Sequence, residues 1–390
     1  MPGRDVLEVE LRHLCDRLDP SRPYTPESPY GGNDYNDPRV WDTHCYTNYS
    51  HVPGYEYLNF STEDFRISAP SLKTCRRFMP EDHIWPEGYA QVHRPGDLCE
   101  VPPSWLEHSG TAESDLKFGP LWEFYDAVDA ESMVHRAGIA AASFYRSTIE
   151  RVRRGRKSGT DGQDRCCGGY LAWKFNDSWP QIYGAKVDYF MEPFIPYFYM
   201  KRAYDPVQVS FDVGDFIHVW LVNDSVERVS GALHVKLFNI SKNSLTREVT
   251  YHVCAMPGES VDVADLTEEF QTFRRQNILF AELVDNRGSI VARTTQIVGV
   301  ERYLRFPEAT LGLSAAEGTL ALTTDRYAHC VYLEGDADGD EYGWQFEDNY
   351  FSLVPGETKQ LRVLGKHRKG TIKAREFYTG IVTAIEYLVL

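Results

Sequence analysis

The sequence predicts an α/β block followed by two β-sandwiches, a partial parallel barrel with two immunoglobulin-like units behind it. Three observations predict it. Up to about residue 205, short apolar or aromatic runs alternate with helical periodicity, which implies a parallel α/β arrangement. After Asp205 the pattern becomes period-two alternation broken by Asn, Asp and Gly, as in a sandwich. A second series of that kind starts near Leu311. At about 100 to 200 residues per domain, 390 residues divide naturally into 1–205, 206–303 and 304–390.

Taken in order, residues 5–18 (DVLEVELRHLCDRL) read as an amphipathic helix. The runs 40–46 (VWDTHCY) and 55–60 (YEYLNF) read as strands, and 70–79 as a helix with Pro70 at its first position. Residues 80–120, rich in Pro and Gly, read as a long excursion loop. A long helix spans 130–154, capped by Asp129. Residues 168–177 (GGYLAWKFND) read as a buried strand, and 193–204 as a helix stopped before Asp205-Pro206. The period-two runs 207–225, 231–240, 244–253 and 276–298 then build the first sandwich. Runs 319–324, 328–335, 350–364 and 372–378 build the second, with a turn at Pro355-Gly356. About four strands in the α/β block are too few for a full barrel of about 250 residues, so the block reads as the second half of one.

Net charge is −16, which repels a phosphate backbone and disfavours nucleic acid as a partner. The one basic run, 151–157, ends the predicted long helix and complements its dipole. No apolar run approaches the ~20 residues of a membrane span, and the acidic start lacks a signal-peptide core. The eight cysteines are scattered without a C-x-x-C pair, as expected for reduced thiols in the cytoplasm. The acidic run 336–347 has Glu341 where a calcium loop needs Gly, so it reads as a hairpin turn.

The segments LDPSRPYTPESPYGGNDYNDPRVWDTH, TEDFRISAPSLKTCRRFMPEDHIWP, GGYLAWKFNDSWP and EDNYFSLVPGE occur in this order. Together they resemble the C-terminal half of β-mannosidase-like enzymes of glycoside hydrolase family 2. The resemblance implies barrel strands five to eight followed by two terminal sandwiches. It implies a retaining hydrolase of terminal β-D-mannosides, with exo-β-glucosaminidase activity as the alternative, and no cofactor or metal. It also implies that Glu63, seven residues before Pro70-Ser-Leu, is the nucleophile. Asp64 and Phe65 stand where the family motif has an aromatic and a glycine, so Glu63 is either that nucleophile or a degenerate acid. Asp64 either raises the Glu63 pKa by repulsion or points to the opposite face of the strand.

The family acid/base is the Glu of an Asn-Glu pair, and this sequence contains no Asn-Glu. The resemblance places that pair upstream, so the chain alone is expected to be nearly inactive and to need an N-terminal partner portion or to self-associate. The competing expectation is a non-catalytic sugar-binding remnant. Trp173 corresponds to a glycone-pocket tryptophan or, alternatively, a core residue of its strand. His44 and Tyr46 either reach the pocket or hold the strand end by hydrogen bonds. Trp105 and His108 resemble a loop bordering the active-site mouth. Asn176, Asp177 and Trp179 are expected to order the turn after the last strand.

Overall fold

The computed structural model describes residues 3–31, 37, 42–44, 60–89, 101–109, 118, 121–155, 167–270, 276–337 and 339–388. The N-terminal helix is a π-type run, Val6–Glu10, continuing into α1 (Leu11–Leu18). Strands β1 (Thr43–His44) and β2 (Ser61–Glu63) pair in parallel. The backbone of 169–171 runs parallel along the other edge of β2. There the Ser61 N–H donates to the Gly169 carbonyl at 2.9 Å and the Leu171 N–H to the Ser61 carbonyl at 2.8 Å.

The segment 168–177 differs from the buried strand predicted for it. It makes only isolated bridges, and Leu171, Trp173 and Phe175 are 52%, 44% and 66% exposed. Alternation places these three on one face of an extended chain, and among the described residues no layer covers that face. The apolar composition had implied burial, but composition does not say whether a covering layer is present.

The helix predicted over 70–79 contracts to α2 (Leu72–Cys75), started by Ser71, whose side chain accepts from the Thr74 N–H. The expected loop 80–120 contains two short helices, α3 (Glu81–Ile84) and α4 (Pro103–Glu107). The long helix α5 covers Ala130–Arg154, as the sequence predicts. Its start is a capping box: the Ser132 N–H donates to Asp129 Oδ1 at 2.8 Å, and the Asp129 N–H donates to Ser132 Oγ at 3.0 Å. Gly138 lets α6 (Ile195–Ala203) cross closely, since a Cβ there would lie 2.6 Å from Ile195 Cδ1.

The first sandwich stacks the sheet β3-β4-β7 on the sheet β6-β5-β8-β9. Its strands are β3 (Val207–Val213), β4 (Ile217–Asn223), β5 (Val229–Asn239), β6 (Ser244–Ala255), β7 (Glu259–Asp265), β8 (Asn277–Asp285) and β9 (Ile290–Ile297). One short helix, α7 (Thr267–Phe270), follows β7. Alternate residues such as Leu233, Val235 and Leu237 fill the core between the sheets. The second sandwich stacks β10-β11-β14 on β13-β12-β15-β16. Its strands are β10 (Leu311–Ala316), β11 (Thr319–Thr324), β12 (Ala328–Asp336), β13 (Phe351–Leu353), β14 (Lys359–Arg362), β15 (Lys369–Glu376) and β16 (Val382–Leu388). The turn between β13 and β14 holds Gly356 at φ +84°, where the sequence places Pro355-Gly356.

Both sandwiches dock on the helices. The His135 ring of α5 lies 4.6 Å from Phe377 and 5.0 Å from Tyr332 of the second. Arg146 of α5 donates to Thr294 Oγ1 at 2.9 Å and to the Thr295 carbonyl at 2.8 Å in the first. Among the described residues no helix is long and apolar enough to cross a membrane. Cys15, Cys75, Cys167, Cys254 and Cys330 are free thiols.

Candidate active site

Strand β2 ends at Glu63, and the parallel register sets His44 of β1 beside it. Glu63 Oε2 lies 3.9 Å from His44 Nδ1, and both side chains are largely shielded. The other ring nitrogen, Nε2, is 3.1 Å from Ser28 Oγ. Asp42 ties this corner together. It accepts from Thr62 Oγ1 at 2.8 Å, from the Ser28 hydroxyl and from the Tyr30 N–H at 2.9 Å. Short polar side chains from two strand ends and the segment before them thus hold the imidazole against the carboxylate.

Asp64 points the other way, as strand alternation allows. It is fully buried, and the Tyr170 hydroxyl donates to its Oδ2 at 2.6 Å. Lys186 and Tyr145 complete a polar cluster behind the strand. The Lys186 ammonium donates to Tyr145 OH at 2.9 Å, to the Trp173 carbonyl at 3.3 Å and to the Gly184 carbonyl. Tyr145 OH also accepts from the Arg66 N–H at 2.6 Å. Burial draws the Lys186 pKa down to about 7, against the opposing pull of Asp64 and then Asp177. Burial first, and then the Asp64 charge, raises the Tyr145 and Tyr170 phenols.

Trp173 is anchored by its backbone: its N–H donates to the Asp64 carbonyl at 2.8 Å. Its ring is partly open, so it is not a core residue of a finished strand. Tyr183 faces the same corner, its ring 5.4 Å from Phe65 and 5.6 Å from Lys174 Nζ. Burial, and then the Glu63 carboxylate, push the Tyr183 phenol up. Sequence reasoning missed Tyr183 because no motif surrounds it. A lysine inside the apolar run YGAKVDYF was the available signal for the buried Lys186.

Trp105 requires a correction. It is fully buried, its indole N–H donates to the Ile84 carbonyl at 3.0 Å, and Phe118 lies 5.9 Å away. It serves the core rather than a ligand, because an aromatic in a short helix gives no advance sign of which side it faces. His108 packs near Phe78 and His83, and its carbonyl accepts from the Ile182 N–H, one residue from Tyr183. Burial lowers its pKa. Tyr46 lies outside the described residues. Asp177 sits in the turn after Trp173. It is buried, accepts from Gln181 and pairs with Lys174 at 3.0 Å. Trp179 stands exposed with Lys174 Nζ 5.2 Å from its ring.

Chemically, the corner offers one partly open carboxylate beside an imidazole, a phenol and an aromatic face. A retaining glycosidase needs two carboxyl groups about 5 to 5.5 Å apart. Glu63 and Asp64 do not form that pair, because Asp64 is spent on Tyr170.

The fold and this corner define a multidomain chain, an α/β block carrying a strand-end carboxylate ahead of tandem sandwiches. Comparison with known proteins sharpens the class. A Mannosidase Ig/CBM-like domain matches residues 215–298, and the Ig-fold domain of mannosidases matches 304–378. Beta-mannosidase B of Thermothelomyces thermophilus is 27% identical over 98% of this chain and 46% of its own length. Beta-mannosidase B of Aspergillus niger is 25% identical over 93% and 44%. Among solved structures, the beta-D-mannosidase of Dictyoglomus thermophilum superposes over 100% of this chain and 45% of its own, with a TM-score of 0.77 and 20% identity. The exo-chitosanase of Amycolatopsis orientalis superposes over 87% and 45%, with a TM-score of 0.62 and 16% identity. Over nearly its whole length the chain is similar to β-mannosidases. It spans less than half the length of the curated relatives it matches.

Proposed function

We propose that this chain is the C-terminal portion of a retaining β-mannosidase-like hydrolase, with Glu63 as the nucleophile that attacks the anomeric carbon of a terminal β-D-mannoside. The observation that carries this reading is the placement of Glu63 at a parallel strand end, beside His44 and next to the residue that anchors Trp173. Three parallel segments, β1, β2 and 169–171, are the pieces expected of the second half of a (β/α)8 barrel. His44 and Tyr183 are suited to orient the carboxylate, and the open face of Trp173 to stack on sugar C–H groups.

The acid that protonates the leaving oxygen comes from an N-terminal portion outside these residues. General acid help is worth about 10² to 10⁴-fold, so the chain alone turns over ordinary glycosides poorly. The exposed Leu171, Trp173 and Phe175 support a covering layer supplied by such a portion or by self-association. The fold shared with the exo-chitosanase keeps an exo-β-glucosaminidase specificity as the alternative. The test is hydrolysis of a nitrophenyl glycoside panel by the chain alone and by the chain mixed with the N-terminal portion of a full-length relative. The expected result is at least a hundredfold gain on the β-mannoside, abolished by Glu63→Gln. No gain, or a gain that survives Glu63→Gln, contradicts the proposal.

A further inference from the structure

A cavity of about 400 Å³ opens where α5 and α6 meet both sandwiches. Its size falls in the range of small-molecule sites. Ser143, Arg146, Ser147 and Glu150 present one face of α5 to it, whereas Tyr145 on another face leads to the cluster behind Glu63. The two places are therefore separate.

The cations in the wall are matched by anions. Arg146 donates to Glu150 at 2.8 Å, Arg293 lies between Glu282 and Glu357, and Arg202 and Lys359 share Asp348. An anionic ligand therefore gains little from these paired cations, and Glu301, which faces His329 Nε2 at 3.4 Å, adds a further carboxylate to the wall. Hydrogen bonding is not matched in the same way. Gln208 Oε1, Glu301 Oε1 and Arg293 Nε are buried without a hydrogen-bond partner, and the Gln208 side chain as a whole is 5% exposed. Buried polar groups left unpaired are costly, so the wall favours an occupant that brings both donors and acceptors. Phe144, Tyr199, Phe280 and Tyr350 supply ring surface around these groups.

We propose that this cavity binds a neutral polyhydroxylated ligand, a saccharide of one or two rings, independently of the Glu63 corner. Its hydroxyls donate to Gln208 and Glu301 and accept from Arg293, while its C–H faces rest on the aromatic walls.

Calorimetry on the whole chain tests this with methyl β-D-mannopyranoside and β-1,4-mannobiose as probes, and acetate and phosphate as charged controls. Saturable binding of a neutral sugar is expected in the wild type and is expected to persist in Trp173→Ala. It is expected to weaken at least tenfold in Gln208→Leu and in Ser143→Trp, which puts an indole into the lining without removing a buried hydrogen-bonding group. Should Gln208→Leu fail to fold, Ser143→Trp decides. Absence of saturable sugar binding, preference for the anions, or binding lost in Trp173→Ala but kept in Ser143→Trp overturns the proposal. The last outcome would assign the sugar to the Glu63 corner and leave that functional reading intact.

Discussion

The sandwiches and the α/β block solve the same burial problem differently. In the first sandwich β5 and β6 run 11 and 12 residues and pair along their length. In the block, β1 and β2 run 2 and 3 residues. The sandwich strands find their partners nearby in the chain, so period-two alternation is satisfied within each unit. The block leaves Leu171, Trp173 and Phe175 open and buries Asp64, Arg66 and Lys186 instead. Around β2 the block therefore depends on the pairing of those charges as well as on an apolar core that includes Ile67, Ile84, Met133 and Ile139. A region of alternating strands depends on packing.

Substitutions can break or sharpen that contrast. The largest effect is expected for Asp64→Leu, which removes the acceptor of the Tyr170 hydroxyl and the buried carboxylate whose charge favours the Lys186 ammonium. Removing one partner of a buried charged cluster costs about 3–5 kcal/mol. Hydrogen exchange should accelerate around 60–66, 145 and 170–187 while β5 and β8 stay protected; equal loss in both places would show one cooperative unit and end the comparison. Next, Leu233→Ala should cost about 2–5 kcal/mol through a cavity, with exchange rising in the first sandwich. A smaller effect follows from His135, buried between α5 and the second sandwich, whose pKa burial lowers to about 4 from 6.5.

Between those values the unfolded chain binds the proton and the folded one does not. Stability therefore falls as pH drops from about 6.5 to about 4, on the order of 1 kcal/mol per pH unit. Denaturant titrations of His135→Phe should lack that part of the slope, and an unchanged slope would assign it to other groups. Smallest is Asp129→Ala, which removes the α5 cap at about 1 kcal/mol, read as a shift of the urea midpoint.

The legibility of the sequence follows the same division. The α5 bounds and the Asp129 cap were readable because capping chemistry and helical periodicity are local. The sandwich strands were readable because alternation is local too, although β7 and β16 were passed over. The segment 168–177 was misread as buried because composition reports which residues are apolar, not whether a neighbouring layer is present. At the candidate site, the family resemblance implied Glu63, His44 and Trp173, and all three lie at one corner. It misassigned Trp105, whose indole belongs to the core. It also left the Asp64 alternatives open, because only the Tyr170 hydroxyl, more than a hundred residues away, decides which way that carboxylate turns.

The most direct measurement is mass mapping after treating the chain, together with the N-terminal portion of a full-length relative, with 2-deoxy-2-fluoro-β-D-mannosyl fluoride. A nucleophilic Glu63 predicts one fluoromannosyl adduct on the peptide containing residue 63, absent in Glu63→Gln. An adduct on a different carboxylate, an adduct that persists in Glu63→Gln, or no adduct at all would contradict it.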